Sequence, residues 1–458
     1  MKTSSEKVLR NYRSMPVLAF ENQRLTSFAG LVLFWRLFRN LQLLPRLEAC
    51  FEHLRRSSIF TYGRIVLLLI VHALAGYRRM RDIRFYKHDP LIKRVLGLNM
   101  LPDVSTVSRI LASADEQSIR NLRQLCRQLL LARLRSCDLF RITLDFDGSV
   151  ISTKRHAEQT AVGFNKKHKG WRSYYPLFCT IAQTGQVFDL YHRPGNVHDS
   201  HDALTFIAAC IDEISAALPG IIVEVRMDAA FFSKDIVSML ADRSIQFTIS
   251  VPFERLVELK HMIEARKRWS ACGRDAVCFE QSWKPMSWNR SFRFLFIRTR
   301  QAVVDKEPVQ LDLFIPQVFG YAHKVIITNK NTSVAQVLAF HNGRGSQENV
   351  FAELKTDANM EYVPFKRLIP NQAYLLSVVL AHNLCREFQM ATSNCQRNTT
   401  FKRCQLWPFN HINTVRRNLI NRAGRLTEPE GVLTLTVSAD HNVADLFTAH
   451  ADILTKAA

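Results

Sequence analysis

The chain has 458 residues, 47% of them hydrophobic, which is enough to bury sizeable cores in two to four domains and excludes a disordered polypeptide. Lys and Arg outnumber Asp and Glu by 62 to 40, a formal charge of +22, and a field of that sign draws polyanions, nucleic acid first and an anionic membrane surface second. The most apolar run, "IVLLLIVHALAGY" from Ile65 to Tyr77, is too short to cross a bilayer and reads as a buried helix.

The opening stretch "MKTSSEKVLRNYRSMPVLAF" scatters its charges and has neither an apolar core nor a small-residue cleavage signal, so a cytoplasmic, nucleoid-associated protein with no membrane partner is expected. Residues 1–135 show Leu, Ile and Phe at three- and four-residue spacing and are expected to form an all-helical DNA-end-binding domain. Within it a turn at Leu101-Pro102-Asp103 precedes a helix carrying Ser105, Thr106, Ser108 and Arg109. That is the layout of a helix-turn-helix, with Arg109 offered to DNA, although any helical bundle contains such turns. The ten cysteines include no C-x-x-C pair and read as reduced thiols.

From Phe140 the period changes to two. In "FRITLDFDGSVIST" the apolar Ile142, Leu144 and Phe146 alternate with Thr143, Asp145 and Asp147, a strand with carboxylates on one face. Two strands joined at Thr184-Gly185, a helix from Asp199 to Leu218, a buried strand "IIVEVRM" ending at Asp228, a short helix and the strand "QFTISVP" follow. This order predicts a mixed α/β sheet over residues 136–252 with acidic residues at strand ends. The loop Lys166, Lys167, His168, Lys169 reads as facing DNA or as a solvated charge run, and Asn196 and His198 as turn and cap residues.

Residues 253–332 read as a β-rich insertion with one charged helix and strand-like runs "FRFLFIRTR", "LDLFIP" and "HKVIITN". Helical pattern returns over 333–393, where Pro370 suits a first helical turn, and 394–458 form a basic C-terminal segment with Arg416, Arg417, Arg422 and Arg425. In "HNGRGSQENVFAELK", a rotation of about 100° per residue puts Glu348 within about 20° of Lys355 and about 40° of Arg344. Taken alone, that stripe also fits ordinary surface ion pairs. With Asp147 and Asp228 at strand ends, however, three carboxylates can converge on hard divalent cations, which also take phosphate oxygens.

At this point the residues resemble a known family, the DDE transposases of bacterial insertion sequences, and within it DDE domain group 1. "DFDGS" is similar to the first catalytic strand, "RMDAAFF" to the second aspartate motif, and Arg344, Glu348 and Lys355 match the signature Tyr-x2-Arg-x3-Glu-x6-Lys in register. "GFNKKHKGWRSYYPL" and "RPGNVHDS" also look like that group. His341 stands at the tyrosine position of the signature.

The resemblance implies an RNase H-like mixed sheet with flanking helices, the insertion preceding the glutamate helix, and Asp147, Asp228 and Glu348 as catalytic ligands of two Mg²⁺ or Mn²⁺ ions. It implies Arg344, Lys355 and His341 gripping double-stranded DNA at the element ends, metal-dependent cleavage followed by strand transfer into target DNA, and a homodimer that pairs two ends. A nuclease that cuts without joining and a catalytically dead DNA-binding regulator are the alternatives. Asp145 shares the face of Asp147, and Asp147 is preferred because it directly precedes Gly148-Ser149.

Overall fold

The computed structural model describes residues 15–21, 23–55, 59–163, 165, 167–197, 202–273, 275–300, 321–393, 397 and 400–456. Lys166, the first residues of the helix expected from Asp199, and "LDLFIP" therefore lie outside the described residues.

After a short strand β1 (Leu25–Thr26) come six helices: α1 (Leu31–Asn40), α2 (Leu43–Ala49), α3 (Tyr62–Ala75), α4 (Pro90–Val95), α5 (Val104–Ala112) and α6 (Glu116–Ser136). Helix α3 carries the apolar run and begins where the Thr61 hydroxyl accepts the Arg64 N–H. It ends at Gly76, whose φ of 92° a residue with a side chain rarely adopts. Of its 14 residues 13 are buried, as befits a helix that is apolar all round.

The main sheet begins with β2 (Arg141–Gly148), followed by the short strands β3 (Ile151–Thr153), β4 (Ala161–Val162) and β5 (Arg172–Tyr174), and then by β6 (Leu177–Ile181) and β7 (Gln186–Tyr191). Next come α7 (Ala203–Ala217), β8 (Ile222–Met227), α8 (Lys234–Asp242) and β9 (Gln246–Val251). The insertion supplies α9 (Val257–Ala265), β10 (Ser270–Ala271), β11 (Ala276–Trp283), β12 (Phe292–Arg300) and β13 (Tyr321–Thr328). The nine strands run in the order β10-β11-β12-β13-β9-β8-β2-β6-β7. Strands β2, β8 and β9 are mutually parallel, and the other pairings are antiparallel. This is the RNase H-like mixed sheet anticipated above. The insertion is a continuation of that sheet, because β13 pairs along β9.

Strands β3, β5 and β4 make a separate small flap that projects directly after β2. Beyond the insertion lie α10 (Val334–Asn342), α11 (Gly345–Thr356) and α12 (Leu368–Ala391), then β14 (Gly424–Thr427), β15 (Thr434–Val437) and α13 (His441–Lys456). In α12, 18 of 24 residues are buried.

The helical part and the sheet share one apolar core. Phe34 of α1 stacks on Phe388 of α12 with ring centroids 4.6 Å apart. On α12, Asn383 accepts the Val187 N–H of β7 at 2.9 Å and donates to the Val187 carbonyl at 2.7 Å and to Cys126 Sγ of α6 at 3.3 Å. Arg123 and Arg127 of α6 each hold the buried Asp189 of β7 at 2.7 Å. The tail also returns to the head, since β14 lies between β1 and β15. No helix among the described residues is long and apolar enough to cross a membrane.

Candidate active site

On one face of the sheet the polar residues of β2 and β8 form a ladder of charge. At the first rung Thr143 donates to Glu224, whose carboxylate also takes Arg141 at 2.8 Å, Lys330 at 2.5 Å and Arg403 at 2.9 Å. At the second, Asp145 and Arg226 are paired in register, and their fully buried side chains form two bonds, Nε to Oδ1 at 2.6 Å and Nη2 to Oδ2 at 2.7 Å. Two residues further along each chain, on the same face and at the carboxyl ends of parallel strands, stand Asp147 and Asp228. The third rung is therefore two carboxylates of like sign.

Helix α11 is set over this end of the ladder. Gln347 of its first turn donates to the Asp145 carbonyl at 2.9 Å, and Arg344, at its N-cap, places Nη1 3.0 Å from Asp147 Oδ2. Arg344 and Asp147 are each about one-fifth exposed, at 20% and 21%. The other Asp147 oxygen accepts the Gly148 N–H at 2.8 Å, and Asp228 accepts the Ala230 N–H at 3.0 Å. Glu348, next to Gln347, is exposed in the first turn of α11. Helices α10 and α11 meet at Gly343, where an added Cβ would lie 2.0 Å from the Lys402 carbonyl and 2.1 Å from Arg226 Nη1, so only glycine fits.

Two of the expected DNA contacts gather beside the aspartates. Lys355 Nζ lies 3.6 Å and Lys167 Nζ 3.9 Å from the same oxygen of Glu361. Burial and the neighbouring Lys167 lower the Lys355 pKa, while Glu361 and Asp147 oppose that shift. Lys169 is exposed on the loop carried by the flap, and Arg109 is exposed on α5 with its guanidinium 3.3 Å from Thr106 Oγ1. Nothing in the sequence marks Glu361 or Gln347, which hold Lys355 and α11 in place.

His341 requires a correction. Instead of facing DNA, it is buried, 3% exposed, with Nε2 2.9 Å from Ser250 Oγ and Nδ1 3.0 Å from Thr248 Oγ1 of β9. Burial, reinforced by Lys324, Arg344 and Arg226, drives its pKa well below the usual histidine range, and its two contacts link α10 to the sheet.

The donor set of Asp147, Asp228 and Glu348 suits hard divalent cations: three carboxylates at strand ends and a helix start, at least two of them accessible. A separate group, Glu353, Asp357 and His411, has ligand atoms within 4.8 Å of one another. Glu353, however, is already satisfied: it is bonded to Arg386, accepts the Ile412 N–H at 2.7 Å, and has His382 Nε2 at 3.6 Å. A cation there would face the Arg386 guanidinium.

Burial alone would raise the Glu353 pKa, but His382, Arg386 and the Ile412 N–H outweigh it and hold the group at about 2. Glu224 is likewise held at about 2, where burial is outweighed by Arg403 and Lys330. Both folded values lie below the ordinary glutamate value of 4.5. Their stabilisation is thus complete above the unfolded value and is lost as pH falls from there toward 2. Each contributes about 3 kcal/mol. Melting temperature should be flat around neutral pH and drop steeply below about pH 4.5. An acid profile unchanged in both Glu224→Gln and Glu353→Gln would refute this account.

Residues 10–458 match the family described as Transposase DDE domain group 1. A search of curated proteins finds no match. Among solved structures, the chain is similar to the piggyBac transposase in its cryo-EM synaptic complex with hairpin DNA, at 10% identity and a TM-score of 0.41, covering 85% of this chain and 80% of that one. A second similarity is to the Mos1 mariner paired-end complex with Mn, at 11% identity and a TM-score of 0.17, covering 34% of this chain and 52% of that one. The match to the family runs through every element that builds the ladder and α11, and the chain belongs to the transposase DDE domain group 1 family.

Proposed function

We propose that this transposase binds the ends of a mobile DNA element, hydrolyses a phosphodiester there, and uses the freed 3′-hydroxyl to attack target DNA. The observation that carries the reading is the ladder: beyond two rungs satisfied within the protein, a third, Asp147 with Asp228, brings two carboxylates to the open end of the sheet, where Arg344 meets Asp147. Such an end calls for cations. Asp147, Asp228 and Glu348 would hold two Mg²⁺ or Mn²⁺ ions, which when bound supply water activation and neutralise charge at the reacting phosphorus.

The chain's own residues do the rest. Gln347 fixes the first turn of α11, and with it Glu348, to β2. Arg344 keeps the Asp147 carboxylate oriented and is a fork-shaped donor for a phosphate once that carboxylate has a metal to bind. Lys355 and Lys167, joined through Glu361, give the DNA backbone a cationic rail on one side, with Lys166 and Lys169 in the same loop and Arg109 on the helical domain as further contacts. Two element ends held by a homodimer, in a DNA-containing compartment such as the bacterial cytoplasm and its nucleoid, complete the reading. The helical 1–135 region is the proposed end-binding domain, and 136–252 with 333–393 the catalytic core.

Glu348→Gln should bind a duplex carrying one boundary of the encoding element within about twofold of wild type, because an exposed amide hardly disturbs packing. Nicking and strand transfer with Mn²⁺ should fall at least about a hundredfold. Nicking within a few-fold of wild type would remove Glu348 from the site. Wild-type nicking without joined products would identify a nuclease.

A further inference from the structure

We propose that Lys324 of β13 is a phosphate contact of the reacting DNA end, a cation of the active site contributed by the edge of the insertion. The identity of the polyanion rests on the function proposed above; the anion-binding character of the residue rests on geometry.

Lys324 lies one residue before Val325, the last position at which β13 pairs with β9, opposite Val251. It therefore sits at the carboxyl edge of the parallel strands, the edge that also carries Asp228. Ile326, two residues along on the same face, belongs to an apolar cluster with Val337 of α10, so Lys324 emerges beneath that helix. Its Nζ donates to Asn342 Oδ1 at 3.2 Å. Asn342 is the last residue of α10 and stands two before Arg344, the residue on Asp147.

Among the described residues no carboxylate lies within ion-pair distance of Lys324, and Asn342 is the acceptor recorded for its ammonium. An ammonium has three donors and is strongly hydrated in water, so half-burying it with one neutral acceptor leaves donors open to water or to an arriving anion. Burial and the adjacent Arg344 lower its pKa, which expresses the same deficit. The rival, purely structural role is that a cation beside the last turn of α10 favours the helix dipole. The two roles differ in what salt does.

Binding of the full-length protein to a fluorescein-labelled duplex carrying one element boundary should be measured over a range of salt. Lys324→Gln, which keeps a donor for Asn342 but removes the charge, should lower the slope of log K against log salt by about 0.9, and Lys324→Arg should restore it. Lys267→Gln, an exposed lysine of the insertion, should leave the slope unchanged. A Lys324→Gln slope equal to wild type would overturn the proposal. So that the test does not depend on a variant folding, the same duplex should protect Lys324 of the wild-type protein from acetylation, read by mass spectrometry. Equal labelling with and without DNA would also overturn it. A wild type that binds but never nicks with Mn²⁺ would defeat the proposed reaction while leaving the slope and protection results standing for Lys324.

Discussion

Asp147→Asn should lose Mn²⁺-dependent nicking by about a thousandfold or more yet melt close to wild type, because its side chain is partly exposed at the open end of the ladder. Asp145→Asn should do the reverse. Its carboxylate is buried on the equally buried Arg226, which also donates to the Phe340 and Lys402 carbonyls at 2.9 Å, and removing one partner of such a pair costs about 3–5 kcal/mol. The Asp145 variant should therefore appear as poor yield and a lowered melting temperature, with activity lost in proportion to folded protein. Thermal melts run beside nicking assays decide the matter. A stable, inactive Asp145→Asn with an active Asp147→Asn would shift the metal-holding role by one pleat.

Deleting residues 1–136 should abolish soluble folded protein, not merely DNA-end recognition. The deletion strips α12 of its packing against α1, α3 and α6, leaves Asp189 buried without Arg123 and Arg127, and removes the Arg133 partner of Glu387. Each large apolar side chain returned to water costs about 1.5–3 kcal/mol, and orphaning Asp189 adds about 3–5 kcal/mol. Size-exclusion chromatography and circular dichroism of the fragment test this. A monodisperse fragment with a cooperative melt would show that residues 137–456 fold alone, as the switch in periodicity near Phe140 suggests.

That switch illustrates what the sequence reveals and where it stops. Alternation in "FRITLDFDG" is a local signal, and β2 follows it with Asp145 and Asp147 on one face. The spacing from Arg344 through Glu348 to Lys355 is equally local. The flap was illegible because β3, β4 and β5 are two or three residues long, too short to show a period. The joining of the insertion to the main sheet depends on β13 finding β9 across more than seventy residues, a pairing no local pattern encodes. His341 matched a surface role by position in a motif, but Ser250 and Thr248 of a distant strand draw it inside. Glu224 and Arg226, both in the middle of an apolar strand, are the charges there whose oddity could have flagged the ladder.

The tail that returns to the head has a consequence for synthesis on the ribosome. Arg403 closes the first rung of the ladder on Glu224, and the Lys402 carbonyl receives Arg226. Arg416 reaches the Ala73 and Leu74 carbonyls at the end of α3, both at 2.9 Å, and the Asp357 carbonyl just past α11. Each of these groups waits, during translation, for a residue made long after the proposed catalytic carboxylates. A nascent chain that has already exposed Asp147, Asp228 and Glu348 therefore still lacks the contacts that close on Glu224, Arg226 and the end of α11, and the candidate site is completed only when the C-terminal segment has emerged.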